Sequence, residues 1–192
     1  MKFIEIAFQK KQVPNFLSLL RIVLAVFFIP LVNGNNFPEA LLVFVLAAIS
    51  DFFDGYLARK WQASSSVGAL LDPLADKVLM ISAYGVLAFL AYVPFYVAVI
   101  VIARDLIILM AVCLCALLGI NLEIRPLMSS KINTAIQMMF VIVVVGCCCL
   151  SMTMASTEML ITAGMVCLST VVSAADYLRK YYGMIRNDIL NG

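Results

Sequence analysis

Six long apolar stretches, separated by short polar or turn-forming segments, dominate the chain. A hydrocarbon core about 30 Å thick is crossed by roughly 20 helical residues. The pattern therefore predicts an all-α integral membrane protein with six transmembrane helices, at 16–32, 39–60, 68–90, 94–119, 131–152 and 157–179. The segments between them, NGNNFP, QASSSV, YVPF, GINLEIRPLMSS and SMTMAST, are typical of turns.

Both ends of the chain are more polar than the six stretches. Residues 1–15 are expected to form a short N-terminal juxtamembrane segment at the membrane interface. Residues 16–180 then form one six-helix domain, and residues 181–192 a cytoplasmic C-terminal tail. The first apolar stretch lacks the short core and cleavage site of a secretory signal, so we expect it to be retained as a helix.

The composition supports the membrane assignment and excludes catalysis and metal binding by histidine. Hydrophobic residues make up 65% of the chain, whereas a soluble domain contains about 45–50%. No histidine is present, which excludes histidine-based catalysis and histidine metal ligands. The six cysteines lie in apolar stretches without the spacing of a metal site, so we interpret them as small packing residues.

Positive charge predicts the orientation. Ten of the 13 lysine and arginine residues lie before helix 1, at the loops after helices 2 and 4, or after helix 6, whereas the other three loops contain none. The positive-inside rule makes that side cytoplasmic. Both termini are then cytoplasmic, which requires an even number of spans.

Four aspartates interrupt the apolar pattern near the cytoplasmic end of helices 2 and 3. Asp51 and Asp54 are three residues apart, and Asp72 and Asp76 are four apart, so each pair shares a helix face. Ionisable groups inside a membrane segment are costly and mark a functional site by default. Clustered carboxylates suit two divalent cations, Mg²⁺ or Mn²⁺, and two cations suit phosphoryl transfer.

Other residues in this stretch fit a phosphate ligand. Gly55 and Gly68 permit close approach of a pyrophosphate to the backbone, and Arg59 is placed to reach a phosphate. Taken singly, each has an ordinary explanation: helix packing for the glycines, a topology marker for Arg59, and a helix–helix hydrogen bond for a lone aspartate.

Together these positions spell D-x2-D-G-x2-A-R-x8-G-x3-D-x3-D between Asp51 and Asp76. This pattern resembles the signature of the CDP-alcohol phosphotransferase family, integral membrane enzymes of phospholipid synthesis. The segment from Val13 to Arg21 is similar to the family's N-terminal PN-x-L-[ST]-x2-R segment. The six-helix layout and the chain length also match, so the resemblance covers nearly the whole chain.

The resemblance implies a reaction and a role for each motif residue. An alcohol would attack the lipid-bearing phosphate of CDP-diacylglycerol and release CMP. Asp76 would be the catalytic base. The metal ligands would be Asp51, Asp54, Asp72 and Asp76. The CDP-binding residues would be Asp51, Gly55, Ala58, Arg59 and Gly68.

The second half of the chain contains the candidate residues for binding the acceptor alcohol. Arg104, Arg125 and Lys131 are candidates for binding an anionic acceptor, although a buried pair of Arg104 with Asp105 and topology roles for the other two are equally open. Arg104-Asp105 and Ser130-Lys131-Ile132-Asn133-Thr134 resemble eukaryotic-type cardiolipin synthases, which tend to carry R-D and S-K-x-N-T-x2-Q. Phosphatidylglycerophosphate synthases more often carry R-E and G-K-x-K-T. The expected acceptor is phosphatidylglycerol, and the alternative is glycerol 3-phosphate.

The remote alternative from another class is a carboxylate-lined cation transporter, which would release no CMP. Family members commonly form homodimers, so a homodimer is included among the expected partners along with membrane lipid, and no nucleic acid is expected. The short chain favours a bacterial inner membrane, with the active site on the cytoplasmic side.

Overall fold

A computed structural model describes the backbone of residues 2–61, 66–117, 128–152 and 154–191, and the side chains of residues 16–50, 77–110, 128–152 and 154–180. Over these ranges the backbone is helical apart from short turns. The six α-helices are α1 (Lys2–Asn33), α2 (Phe37–Trp61), α3 (Ser66–Phe89), α4 (Phe95–Leu117), α5 (Met128–Cys149) and α6 (Ser156–Asn191). The prediction of an all-α fold with six helices is confirmed.

The helix boundaries agree with the predicted ones in the interior of the chain and differ at its two ends. α1 already begins at Lys2 and is continuous through the segment predicted to lie at the interface. α6 continues through the predicted tail as far as Asn191. Charged residues in both extensions mark the end of an apolar stretch, but a helix does not have to end where its apolar stretch ends.

Three helices end in the same local structure. Asn35, Ala91 and Ser151 adopt left-handed backbone conformations with φ of 58°, 61° and 53° just after α1, α3 and α5. In each case the next amide bonds back to a carbonyl five residues earlier, as from Asn36 to Leu31 at 2.9 Å. These bonds form Schellman caps, which satisfy the last carbonyls of a helix and stop it.

The chain divides into two units, of which the first contains residues 1–92 and 141–153. Here α1 packs against both α2 and α3. The buried side chains at these contacts include Phe28 of α1, Phe44 of α2 and Tyr84 of α3. The rings of Phe28 and Phe44 are 5.6 Å apart, a distance typical of stabilising aromatic pairs.

The second unit contains residues 93–140 and 154–192. In this unit α4 packs against α6, and the first part of α5 is joined to both helices by side-chain hydrogen bonds. Its interior is polar at many positions. The buried polar residues are Arg104, Asp105, Asn133, Gln137, Thr170 and Ser173.

Large apolar side chains cover the outside of the helices, as expected for a protein in a bilayer. Phe27 and Leu42 are each 60% exposed, and Leu168 is 67% exposed. Among the described residues, three helices contain an apolar stretch long enough to cross a membrane: Phe16–Asn33, Met128–Cys149 and Ser156–Lys180. Two shorter apolar stretches are Phe37–Ser50 and Lys77–Phe89. Exposed apolar surface combined with buried polar side chains indicates a membrane protein.

Candidate functional site

The acidic motif occupies the adjacent ends of two consecutive helices. The end of α2 carries Asp51, Asp54, Gly55, Ala58 and Arg59. The start of α3 carries Gly68, Asp72 and Asp76. Because only residues 62–65 separate α2 from α3, these two helix ends are no more than about 18 Å apart.

The backbone is helical along both motif segments. The spacing within each aspartate pair therefore places its two members on one face of their helix. The side chains of all eight motif residues lie outside the described residues, so the convergence of the two pairs stays a prediction. Among the side chains that are described, there is no group of three or more His, Cys, Asp or Glu that would hold a metal ion.

Arg21 of α1 is a candidate site residue that the sequence reasoning did not assign. It is 1% exposed in the helix that packs against both α2 and α3. Phe28 of α1 contacts Phe44 of α2, and the two helices are antiparallel because a short turn joins them. Arg21 lies two turns before Phe28, and Asp51 lies two turns after Phe44. Arg21 is therefore expected at the same level as Asp51. A buried guanidinium requires charged or polar partners. The signals in the sequence were an arginine inside an apolar stretch and its place at the end of the segment from Val13 to Arg21 that resembles the family.

Arg104 of α4 lies at the centre of a second polar site, in the second unit. It is 5% exposed, and its Nη1 donates to the Asp105 carboxylate at 2.7 Å. Its Nη2 donates to the hydroxyl of Ser130 at 2.9 Å and to the hydroxyl of Ser173. The guanidinium also lies 5.8 Å from the centre of the Tyr177 ring, within the range of a cation–π interaction. Arg104 thereby connects α4, α5 and α6.

The Arg104–Asp105 pair has consequences for charge in this site. Both side chains are almost completely buried, at 5% and 3% exposure. Removing two charges from water costs several kcal/mol per ion, which the attraction between them offsets only when further hydrogen bonds are made. The hydroxyls of Ser130 and Ser173 supply such bonds, and the interaction holds the guanidinium in one orientation.

A row of hydrogen bonds continues from this site between α5 and α6. The side-chain oxygen of Asn133 accepts a hydrogen bond from Ser169 at 2.8 Å and one from Thr170 at 3.1 Å. Gln137, one turn further along α5, donates to the Thr170 hydroxyl at 3.1 Å. We call these two neighbouring hydrogen-bonded groups the buried polar cluster, in which Ser130 and Ser169 are half-buried. The cluster consists of Arg104, Asp105, Ser130 and Ser173 in one group and Asn133, Gln137, Ser169 and Thr170 in the other.

The three residues predicted to bind the acceptor have different surroundings. Arg104 is buried and paired with Asp105, which is the structural alternative to acceptor binding given above, so its role in binding the acceptor stays a prediction. Lys131 follows Ser130 directly but is exposed. Arg125 lies outside the described residues. The structure therefore brings Arg104 and the first turn of α5 together and leaves Lys131 at the surface beside them.

The α6 members of the cluster were missed by the sequence reasoning. Ser169, Thr170 and Ser173 are small polar residues that recur on one face of an otherwise apolar helix. Such spacing is a sign of helix–helix contact in membranes, and it was the available signal. This spacing does not identify the partner helix. The partner is known only from the packing of α6 against α4 and α5.

Comparison with known proteins identifies a family that matches this chain. The sequence profile of the CDP-alcohol phosphatidyltransferase family matches residues 11–177, a range that includes the acidic motif and the buried polar cluster. The chain is 34% identical over 145 residues to the rat cardiolipin synthase (CMP-forming), which covers 67% of this chain and 48% of that protein. This chain thus spans about half the length of the rat relative.

Bacterial relatives match over more of their own length. The CDP-diacylglycerol–glycerol-3-phosphate 3-phosphatidyltransferase of Wigglesworthia glossinidia brevipalpis is 29% identical over 181 residues, which is 88% of this chain and 93% of that protein. The enzyme of the same name from Escherichia coli (strain K12) is 38% identical over 133 residues, covering 66% of this chain and 72% of that protein. The extent of the family match, together with these identities, shows that the chain belongs to the CDP-alcohol phosphatidyltransferase family.

Proposed function

We propose that this protein transfers the phosphatidyl group of CDP-diacylglycerol to a hydroxyl of a glycerol-type acceptor and releases CMP. The family membership and the names of the relatives support this reaction class. The acceptor hydroxyl oxygen forms a new bond to the lipid-bearing phosphorus. The bond from that phosphorus to the bridging oxygen of the pyrophosphate breaks, and CMP leaves with that oxygen.

The acidic motif is proposed as the site of this reaction. Four carboxylates on two adjacent helix ends form an all-oxygen donor set, which fits Mg²⁺ or Mn²⁺. When bound, two such cations neutralise charge on the pyrophosphate and on the leaving oxygen. Their proposed ligands are Asp51, Asp54, Asp72 and Asp76.

The remaining motif residues have binding and proton-transfer roles in this proposal. Gly55, Ala58 and Gly68 leave room for the CDP moiety, and Arg59 binds its phosphate. Asp76 accepts the proton of the acceptor hydroxyl, as a carboxylate acting as a general base does.

The proposed acceptor is phosphatidylglycerol, which would make the product cardiolipin. The observation that carries this choice is the buried polar cluster, in which Arg104 bonds to both Asp105 and Ser130. Those residues belong to the two segments that resemble cardiolipin synthases, and the structure joins the segments into one site. Lys131 is proposed to attract the anionic acceptor from the surface.

Charge in the cluster also favours a lipid acceptor over glycerol 3-phosphate. Phosphatidylglycerophosphate synthases tend to carry a lysine where this chain has Asn133, one turn from Ser130. A phosphate monoester carries about −1.5 to −2 charges at pH 7, whereas the phosphodiester of phosphatidylglycerol carries one. A cluster with a single arginine, already paired with Asp105, matches the acceptor of lower charge.

The membrane arrangement forms part of the same proposal. All six helices are proposed to span the bilayer, with both termini and the acidic motif at the cytoplasmic face, as the distribution of Lys and Arg indicates. The matches to bacterial proteins over most of their length support a bacterial inner membrane. A homodimer formed through apolar helix faces is compatible with the exposed side chains of α5 and α6.

Product analysis tests the proposal directly. Purified protein in detergent is given CDP-diacylglycerol and Mg²⁺ with either phosphatidylglycerol or glycerol 3-phosphate, and CMP and lipid products are measured. Cardiolipin from the first acceptor is the expected result. Phosphatidylglycerophosphate from the second would keep the reaction and replace the acceptor, and absence of CMP with both would contradict the reaction itself.

A further inference from the structure

A narrow groove opens between α4 and α6 in the second unit, with a volume of about 270 Å³. Its wall includes apolar side chains of both helices, among them Ile107, Val171, Ala174 and Leu178. The side chains of Arg104 and Tyr177 also line it. We call this cavity the α4–α6 groove.

The dimensions of the α4–α6 groove limit what it can hold. It follows α4 from Ile100 to Ile108 and α6 from Thr170 to Leu178, about 12 Å at 1.5 Å per residue. Its volume of about 270 Å³ lies below the roughly 300–1,000 Å³ typical of pockets for drug-sized ligands. A small, elongated groove with a largely apolar wall suits one hydrocarbon chain of a lipid.

The Nε of Arg104 is an unused hydrogen-bond donor beside the α4–α6 groove. Both terminal nitrogens of Arg104 donate, to Asp105, Ser130 and Ser173. Its Nε is buried and has no hydrogen-bond partner among the described residues. A buried donor without an acceptor costs about 1–3 kcal/mol. Arg104 lines the groove, so a shift of its side chain that exposes Nε to an acceptor oxygen of a ligand there would remove that cost.

The surroundings of one end of the α4–α6 groove are positively charged. Arg179 and Lys180 follow Leu178 directly on α6, and the exposed Lys131 follows Ser130, the partner of Arg104. Among the side chains that the structure describes, the acidic ones at this level are Asp105, which is paired with Arg104, and Asp176. Cations therefore outnumber acidic groups here, which suits a ligand with a negatively charged end and an apolar body.

We propose that the α4–α6 groove binds one acyl chain of the phosphatidylglycerol acceptor, with the phosphodiester of that lipid near Nε of Arg104. The proposal rests on the proposed function, because it assigns a place to the lipid part of that acceptor. Glycerol 3-phosphate has no acyl chain and needs no such groove. The groove is therefore a determinant of which acceptor the protein uses.

Two neighbouring valines of α6 offer a matched pair of variants. Val171 lines the groove and is 57% exposed, whereas Val172 does not line it and is 50% exposed. Val171→Trp fills the groove, and Val172→Trp adds the same bulk to the next position of the same helix. Both positions are open to the surroundings, so neither change requires the core to expand. Ala174→Phe, with Ala175→Phe as its control, repeats the test at a second position.

The test uses the full chain in nanodiscs of phosphatidylcholine, with phosphatidylglycerol that carries a photoactivatable diazirine in one acyl chain. Irradiation is expected to label α4 and α6 peptides around the groove in the original protein and in Val172→Trp. Labelling should fall about tenfold in Val171→Trp, as when a binding free energy of roughly 1.4 kcal/mol is lost. Equal labelling of the two variants, or equal competition by unlabelled phosphatidylcholine, would overturn the proposal.

Turnover measurements on the same proteins distinguish failure of the groove proposal from failure of the proposed function. The apparent KM for phosphatidylglycerol should rise in Val171→Trp and stay unchanged in Val172→Trp, while the KM for CDP-diacylglycerol is unaffected in both. If the original protein makes no cardiolipin, the acceptor of the proposed function and the groove proposal both fail. If it makes cardiolipin but the two variants behave alike, the groove proposal alone fails.

A second copy of the protein is the competing occupant. If that copy covers the groove, Val171→Trp would change the oligomeric state measured by light scattering in detergent, and Val172→Trp would not. Such a change without loss of lipid labelling would overturn the proposal in favour of a dimer contact.

Discussion

Arg104 of α4 donates a hydrogen bond of 2.9 Å to the hydroxyl of Ser130 in the first turn of α5. The two residues are 26 positions apart in sequence, and they belong to two separate segments that resemble cardiolipin synthases. Their bond makes the two segments parts of one structure. The orientation of the guanidinium, and with it the direction of its unused Nε, depends on this contact and on Ser173.

Loss of the serine hydroxyls is expected to weaken acceptor binding. Ser130→Ala or Ser173→Ala removes a hydrogen bond to a charged group, worth about 1.5–3 kcal/mol, although Arg104 keeps Asp105 as a partner. We expect the apparent KM for phosphatidylglycerol to rise by about threefold to tenfold, and more in the double variant. The KM for CDP-diacylglycerol should not change. Ser129→Ala, at the neighbouring serine, is the control, and an equal effect there would argue against a specific role.

Substitution of the motif aspartates is expected to abolish CMP release. Asp76→Asn removes the proposed base, a loss of about 10²–10⁴ in rate, and Asp72→Asn removes a proposed metal ligand. Circular dichroism and thermal unfolding in detergent should show that both variants stay folded. Asp176→Asn, an aspartate of α6 outside the motif, is the matched control and should keep its activity. Full activity in Asp72→Asn or Asp76→Asn would contradict the assignment of the metal site.

Charge at Asn133 is expected to affect the choice of acceptor. Asn133 is buried at 1% exposure and lies one turn from Ser130, the partner of Arg104. A lysine there is charged when an anionic ligand binds beside it, because a buried cation without a partner is costly. Because a dianionic acceptor gains more from an added cation, Asn133→Lys should shift the ratio of kcat/KM values toward glycerol 3-phosphate by about tenfold. Asn133→Asp is the opposite variant and should not favour glycerol 3-phosphate. An unchanged ratio in a folded Asn133→Lys protein would contradict the charge argument for the acceptor.

Lys131 is expected to act at long range rather than by direct contact. Because its side chain is exposed, its attraction for an anionic acceptor is screened by salt, with a Debye length of about 10 Å at 0.1 M. Lys131→Ala should raise the KM for the acceptor a few-fold at low salt and much less at high salt. Lys131→Arg, which keeps the charge, should restore the original value. Equal effects on the acceptor and on CDP-diacylglycerol would mean that Lys131 only marks the topology.

The sequence predicted the helices well because apolar stretches and turn residues are local signals. The turn at NGNNFP, for example, predicted the break that the structure shows between Asn33 and Phe37. The full lengths of α1 and α6 were not predictable in this way. The charged residues that end an apolar stretch, such as Lys11 and Arg179, are compatible with a helix that continues into water.

The polar contacts of the second unit were only partly predictable. The sequence identified Arg104 with Asp105 and the first turn of α5, but it could not connect them, because contact between separate helices depends on their packing. Ser173 and Tyr177 were missed for the same reason. The burial of Arg21 follows from the way α1 packs against α2 and α3, which no local pattern specifies.

The two amide side chains of α5 have a consequence for how the protein assembles in the bilayer. Asn133 and Gln137 lie one turn apart, and both bond to α6. A shift of α5 by one residue would rotate both amides by about 100°, into hydrocarbon where they find no partners. Each interhelical hydrogen bond of this kind is worth only about 0.6–2 kcal/mol, yet two on the same face exclude neighbouring registers together. The register between α5 and α6 is thus set by polar side chains. The correct register would be selected when the newly inserted helices first meet.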